Sequence, residues 1–70
     1  MMNRLDHRGH GPIAEWSRDA ASRRRAAAEF AQHRARGYRM VDVSDGSGKA
    51  MTVFDAEVAE ILAIPQLAGG

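Results

Sequence analysis

From Ile13 to Arg36 the chain runs for 24 residues without a glycine or proline. It is rich in alanine there, and a stretch of that composition favours helix over any extended alternative. Pro12 suits a first helical turn, where its missing N–H costs nothing, and Glu15 suits the same turn electrostatically. Gly37 is the expected stop, because glycine readily takes the left-handed conformation that follows a last turn. At 3.6 residues per turn Ile13, Trp16, Ala20, Ala27, Phe30 and Ala31 share one stripe, and Arg18, Ser22, Arg25, Glu29 and Arg36 lie opposite. The spacing therefore predicts one long helix over Pro12–Arg36.

The period then changes. Tyr38–Val43 and Lys49–Phe54 carry β-branched and aromatic residues, and Ser44-Asp45-Gly46-Ser47-Gly48 between them is dense in turn formers. An antiparallel hairpin follows. Asp55 suits a helix N-cap, Val58, Ile61 and Leu62 then fall on one helical face, and Pro65 ends the run. The first eleven residues, with Gly9-His10-Gly11, read as a flexible arm, and residues 65–70 as a tail. The expected fold is α+β in the order αββα: a long N-terminal helix, a two-stranded hairpin and a short C-terminal helix over Ala56–Ile64. One small domain spans 12–64.

Size makes this arrangement marginal. Of 31 apolar residues 13 are alanine, and Met1, Met2 and Leu5 lie in the arm. That leaves roughly fifteen large side chains for a core, with Phe30, Val43, Val53, Phe54 and Leu62 its expected centre. There is no cysteine, so neither disulfides nor thiolate metal sites can help. No apolar run approaches the ~20 residues of a membrane span, and Met1–Gly11 lacks the apolar stretch of a signal peptide. A cytoplasmic location is expected.

The net charge of +1 conceals a division. Residues 1–39 hold nine arginines against four carboxylates, and residues 40–70 hold Lys49 against five. Such halves either pair with each other or leave one for a partner. Arg23-Arg24-Arg25 fans around a helix, while Arg18, Arg25 and Arg36 share a face. Trp16 lies near the helix start, as a core anchor or an aromatic hot spot.

Motifs of catalysis and ligand binding are incomplete. Gly46-Ser47-Gly48-Lys49 resembles the end of a phosphate loop, but Val43 stands where its first glycine belongs and Ala50 where its hydroxyl belongs. As the middle of a calcium loop, Asp45–Gly48 loses both end ligands, to Val43 and Phe54. His7 and His10 lack a third ligand, and His33 is read as solvated. No nucleophile–base–orienter set emerges. The chain is expected to be non-enzymatic, without cofactor, metal or small-molecule ligand.

The tail Leu67-Ala68-Gly69-Gly70 is similar to that of the small sulfur-carrier proteins of the ubiquitin-like fold, which are activated at a terminal glycine carboxylate. Met40–Leu62, as hairpin and helix, imitates the first half of that fold. The family needs further strands after its helix, and this reading of the chain has none. The order helix–hairpin–helix over Pro12–Ile64 looks like small head-to-tail joining proteins of tailed phages. Tyr38–Ala63, with Gly48-Lys49 in the turn and Phe54-Asp55 opening a helix, is similar to arm-type DNA-binding segments of phage integrases.

The leading expectation is a protein-binding module (an accessory subunit, adaptor or inhibitor) that meets another protein, or a second copy of itself, through Trp16, Arg18, Arg25 and Arg36. The alternatives are nucleic-acid binding through Arg18, Arg23, Arg24, Arg25 and Arg36, and a C-terminal Gly-Gly carrier.

Overall fold

The computed structural model describes residues 1–6 and 9–65, with only the backbone at positions 6 and 10. It is α+β with one helix and a five-stranded mixed sheet, and this overturns the αββα expectation. In chain order the elements are β1 (Met2–Asp6), β2 (Gly9–Ala14), α1 (Ala20–Ala35), β3 (Tyr38–Asp42), β4 (Lys49–Met51) and β5 (Ile61–Pro65). The sheet order is β2-β1-β5-β3-β4. The two outer pairs and β3–β5 are antiparallel, while β1 and β5 run parallel, with Met2 beside Ile61 and Arg4 beside Ala63.

Three corrections follow. The expected flexible arm is instead the first hairpin. Gly9, with φ of 108°, opens β2, and Pro12 sits on the same edge strand. The register slips opposite Met2 and Asn3, so Ile13 is the extra residue of a bulge. An edge strand at a bulge is where a sheet tolerates proline, since the missing N–H breaks no ladder.

The helix starts at Ala20, eight residues later than composition suggests. Asp19 is extended, at φ −75° and ψ 145°, and accepts from the Ser22 amide at 2.8 Å. Ser17 and Ser22 hydroxyls donate to its other carboxylate oxygen. A carboxylate held by three donors makes a better N-cap than Pro12 could prepare, and the orphan amides of the first turn select it. The C-terminal end agrees with the sequence: Arg36 is the C-cap and Gly37 follows at φ 95°.

Finally, Ala56–Ile64 is not a helix. Residues 55–60 are irregular, with one turn closed by the Val58 amide donating to the Asp55 carbonyl, and β5 is a strand inserted between β1 and β3. The helix–hairpin–helix order of the joining-protein resemblance is therefore absent, and so is the helix that the integrase resemblance and the Met40–Leu62 likeness to the sulfur carriers placed after the hairpin. β3 and β4 do pair across the glycine-rich turn, through Met40–Met51 and Asp42–Lys49, but β4 ends at Met51 instead of Phe54 and the pair is one edge of the five-stranded sheet.

Register partners share a face of a sheet, so Met2, Ile61, Ala63 and Met40 form one layer beneath the helix. All are at most 1% exposed, and Ala26 and Phe30 close over them from α1. Met2, read from sequence as part of a loose arm, is thus fully buried. Of the expected core, Phe30 is central, while Phe54, Val43 and Leu62 are only half-buried and Val53 is 71% exposed.

His33 is likewise buried, not solvated. Its Nδ1 donates to the Glu29 carbonyl at 2.8 Å and its ring meets Tyr38 edge-on at 5.1 Å. The Nε2 atom has no partner among the described residues.

Gly37 takes a positive φ of 95° just after the helix. A Cβ there meets nothing within 4 Å, so the obstacle to substitution is the positive φ alone. Gly37→Ala is expected to cost about 1 kcal/mol in urea unfolding, without loss of fold.

Candidate functional site

Because β5 runs antiparallel to β3, Pro65 lies beside Tyr38 and Ile64 beside Arg39, whereas Ile61 lies beside Asp42. The two ends of this strand pair differ in charge. At the Ile61 end, Glu60 is tied down by its amide to the Ser44 hydroxyl at 2.9 Å and by its carbonyl to the Val43 amide at 3.1 Å. Asp42 and Asp45 adjoin the same corner, their carboxylates accepting from the Ser44 and Ser47 amides at 2.9 Å each. The Ser47 hydroxyl and amide, helped by Lys49, hold the Asp45 carboxyl below its ordinary value.

The Met1 ammonium enters this end and donates to the Ala59 carbonyl at 2.7 Å. Burial lowers its pKa, while Glu60 and Glu15 work against the shift. At the Pro65 end stand Arg36 and Arg39, both exposed. The carboxylates of the Ile61 end are partly offset there, since Lys49 pairs with Asp42 across the hairpin and the Met1 ammonium lies near Glu60.

Arg36 and Arg39 make no side-chain hydrogen bond or ion pair among the described residues. Other arginines are engaged: Arg23 Nε donates to the Ser17 carbonyl at 2.9 Å, and Arg34 Nη1 to the Thr52 carbonyl at 2.6 Å. The sequence groups Arg34 and Arg39 with Arg18, Arg23–Arg25 and Arg36 as the arginines most suited to contact, without placing Arg39 among the partner-binding residues. Its place beside Ile64 becomes visible only when β5 is known to be a strand paired with β3.

The other anticipated partner residues are dispersed. Arg18 precedes the helix, so it does not share a helical face with Arg25. Arg25 and Arg36 are about three turns apart on one side of α1. Arg24 is exposed and Arg23 half-buried on other sides.

Trp16 is half-buried, with Nε1 donating to the Ala56 carbonyl at 3.0 Å and the ring edge-on to Phe54 at 5.0 Å. Phe54 in turn meets Phe30 edge-on at 6.1 Å. The indole thus fastens the β2–α1 connection to the 54–58 segment and, through Phe54, to the core. Beside Phe54 an open apolar cleft of about 660 Å³ lies between α1 and residues 52–54, with Val53 and Arg34 in its lining.

His7 and the tail Gln66–Gly70 lie outside the described residues, as does the side chain of His10. Among the described residues no group of three His, Cys, Asp or Glu could hold a metal ion, and no helix is long and apolar enough to cross a membrane.

Asp19 gives this region a pH dependence. Its hydrogen bonds, led by that from the Ser17 hydroxyl, lower its pKa from 3.8 to about 2. A depressed carboxylate contributes stability that is fully present above pH 3.8 and lost as pH falls toward about 2. Asp19→Ala should therefore destabilise the helix at neutral pH, and its deficit against wild type should shrink as acid approaches pH 2. Paired urea titrations by circular dichroism at pH 6 and near pH 2 check this; a deficit independent of pH would contradict the cap's charge.

No family model, curated protein or solved structure matches this chain.

Proposed function

We propose that this protein is a carrier: a small protein-binding domain that presents the Gly69-Gly70 segment to a partner enzyme for activation. The observation that carries the reading is the place of β5. β5 lies between β1 and β3, paired with β1 over Ile61–Ala63 and with β3 over Ile61–Pro65, so the described chain ends on a strand anchored in the sheet.

The strand count supports the same conclusion. Hairpin, helix and three further strands, with the first and last strands parallel and adjacent, resemble the ubiquitin-like fold. The objection that too few strands follow the helix no longer applies. A glycine pair has no side chains to obstruct a narrow channel, which is what a tail reacting inside another protein requires.

A carboxylate is a poor electrophile until it gains a leaving group. Attack of the Gly70 carboxylate oxygen on the α-phosphorus of a nucleoside triphosphate releases pyrophosphate and leaves an acyl-adenylate. A sulfur or nitrogen nucleophile then attacks the acyl carbon and displaces the nucleotide monophosphate. Both steps belong to the partner enzyme, and this chain contributes the tail and the surface that docks it.

The experiment incubates untagged protein with extract of its own host, ATP and hydroxylamine. An N-terminal tag is avoided because the Met1 nitrogen bonds the Ala59 carbonyl. Hydroxylamine converts an activated acyl group to a stable hydroxamate, and intact-mass and fragment spectra locate it. ATP-dependent hydroxamate at Gly70 is expected; a carboxylate unchanged in the presence of ATP would refute the carrier reading.

A further inference from the structure

We infer that the sheet face opposite α1 is a self-association surface, on which a second copy of this chain packs face to face through Leu5, Val41, Leu62 and Ile64. This surface stands whether or not the chain is a carrier.

The strand registers bring these residues together. Met2, Ile61, Ala63 and Met40 face the helix, so their sequence neighbours in the strands face the other way. Leu62 lies between Asn3 and Val41, and Val41 lies beside Ala50, so one row of side chains crosses four strands. Leu5 and Ile64 stand two residues further along β1 and β5, with Arg39 beside Ile64. None of the four belongs to the helix-side core, whereas Trp16, Phe54 and Val58 from the connections pack against that core. Val41, flanked on both sides, is 6% exposed, and the other three are half-buried.

A sheet with one solvated face alternates apolar residues inward with polar ones outward. β5 departs from that pattern, since Ile61 and Ala63 face the helix while Leu62 and Ile64 face away. Such a strand suits a sheet covered on both sides. Among the described residues the single helix covers one side.

Three properties select a second copy as the other cover. The strand positions of this face include no carboxylate, and its polar members are Asn3, His10 on the edge strand and Arg39 at the end of β3. An identical face therefore meets aliphatic carbon with aliphatic carbon, in the self-complementary manner of a twofold dimer. The size also fits. Five strands about 4.8 Å apart, with about five residues of ~3.3 Å each, make a face of roughly 24 by 16 Å. Two such faces in contact bury on the order of 1,000 Å², about the lower limit for a specific association. Finally, the helix-side core cluster has six buried members, two of them alanine. Chains this short commonly gain the missing stability from oligomerisation.

Sedimentation equilibrium of the untagged protein from about 1 μM to about 1 mM tests the surface. A dimer with a dissociation constant of roughly 1–100 μM is expected, at the weak end of the range for interfaces. Leu62→Lys with Ile64→Lys should raise that constant at least about 100-fold, because two ammonium groups would be buried without partners. Thr52→Lys with Val53→Lys adds the same charge beside the apolar cleft, and should change it less than about twofold. Circular dichroism checks that both variants keep the fold. If the Leu62 and Ile64 variant unfolds, isotope-filtered nuclear Overhauser spectra of mixed labelled and unlabelled wild type decide. Contacts between copies among Leu5, Val41, Leu62 and Ile64 are then expected.

A wild type that stays monomeric to about 1 mM would overturn the inference. So would contacts between copies centred on Val53, equal loss in both variants, or a dimer that survives the Leu62 and Ile64 substitutions. A dimer through this face with no hydroxamate at Gly70 would leave the surface standing and remove the carrier. Hydroxamate at Gly70 on a monomeric protein would do the reverse.

Discussion

Phe30→Ala should leave the isolated protein largely unfolded at 25 °C. Phe30 is 2% exposed, packs with Met2, Met40, Ile61 and Ala63, and meets Phe54 edge-on. Truncating a buried phenylalanine costs ~3–5 kcal/mol from lost transfer energy and the cavity left behind. A domain of this size has about that much in total. It is also the helix's main apolar hold on the sheet, since its other fully buried apolar residue, Ala26, is small.

Val53→Ala is the matched control. At 71% exposure its removal should shift stability by no more than about 0.5 kcal/mol. Urea titration followed by circular dichroism distinguishes them. A cooperative transition for Phe30→Ala close to wild type would mean the helix is held elsewhere.

The second large effect lies in the tail. Replacing Gly70 by alanine, or Gly69 by valine, should reduce ATP-dependent hydroxamate by ~10²-fold or more, because a side chain that displaces the reacting carboxylate by about an ångström costs that much. Neither substitution touches a described contact, so urea unfolding should be unchanged within about 0.5 kcal/mol. Loss of hydroxamate with intact folding is the expected pair of results. Full reactivity of both variants would show that the partner does not enclose the tail, and the carrier account would lose its reason for glycine.

Much of the local structure could be read from residue types. The helix end at Gly37 and the β3–β4 hairpin each depend on interactions a few residues apart, where backbone preference and turn chemistry decide. The helix start was misread because alanine content raises propensity over the whole segment, whereas Asp19 and its two serines fix the boundary by hydrogen bonds. Propensity is a weak prior where a strong cap competes.

The larger error concerned Ile61–Pro65. Val58, Ile61 and Leu62 have helical spacing, yet Ile61-Leu62-Ala63-Ile64 is a short apolar run of the kind found in a strand covered on both sides. Periodicity alone cannot separate the two. What decides is β1, sixty residues away in sequence, whose parallel pairing no local pattern announces. Met2-Asn3-Arg4-Leu5-Asp6 lacks a clean alternation, and Gly9-His10-Gly11 favoured a loose arm.

The candidate site depends on the same strand. Arg39 is legible in the sequence only as one of several exposed arginines, and its place beside Ile64 follows from the β3–β5 pairing. The charge division is visible in the sequence, whereas the pairing of Asp42 with Lys49 and the approach of the Met1 ammonium to Glu60 come from the fold.

Everything proposed here depends on β5 lying between β1 and β3, and cross-strand nuclear Overhauser effects test that most directly. The account predicts backbone contacts joining Met2 to Ile61 and Arg4 to Ala63 in parallel register, together with Met40 to Ala63 and Asp42 to Ile61 in antiparallel register. Successive amide–amide contacts of a helix through residues 56–64, with none from Met2 or Arg4 to β5, would contradict the fold and with it both proposals.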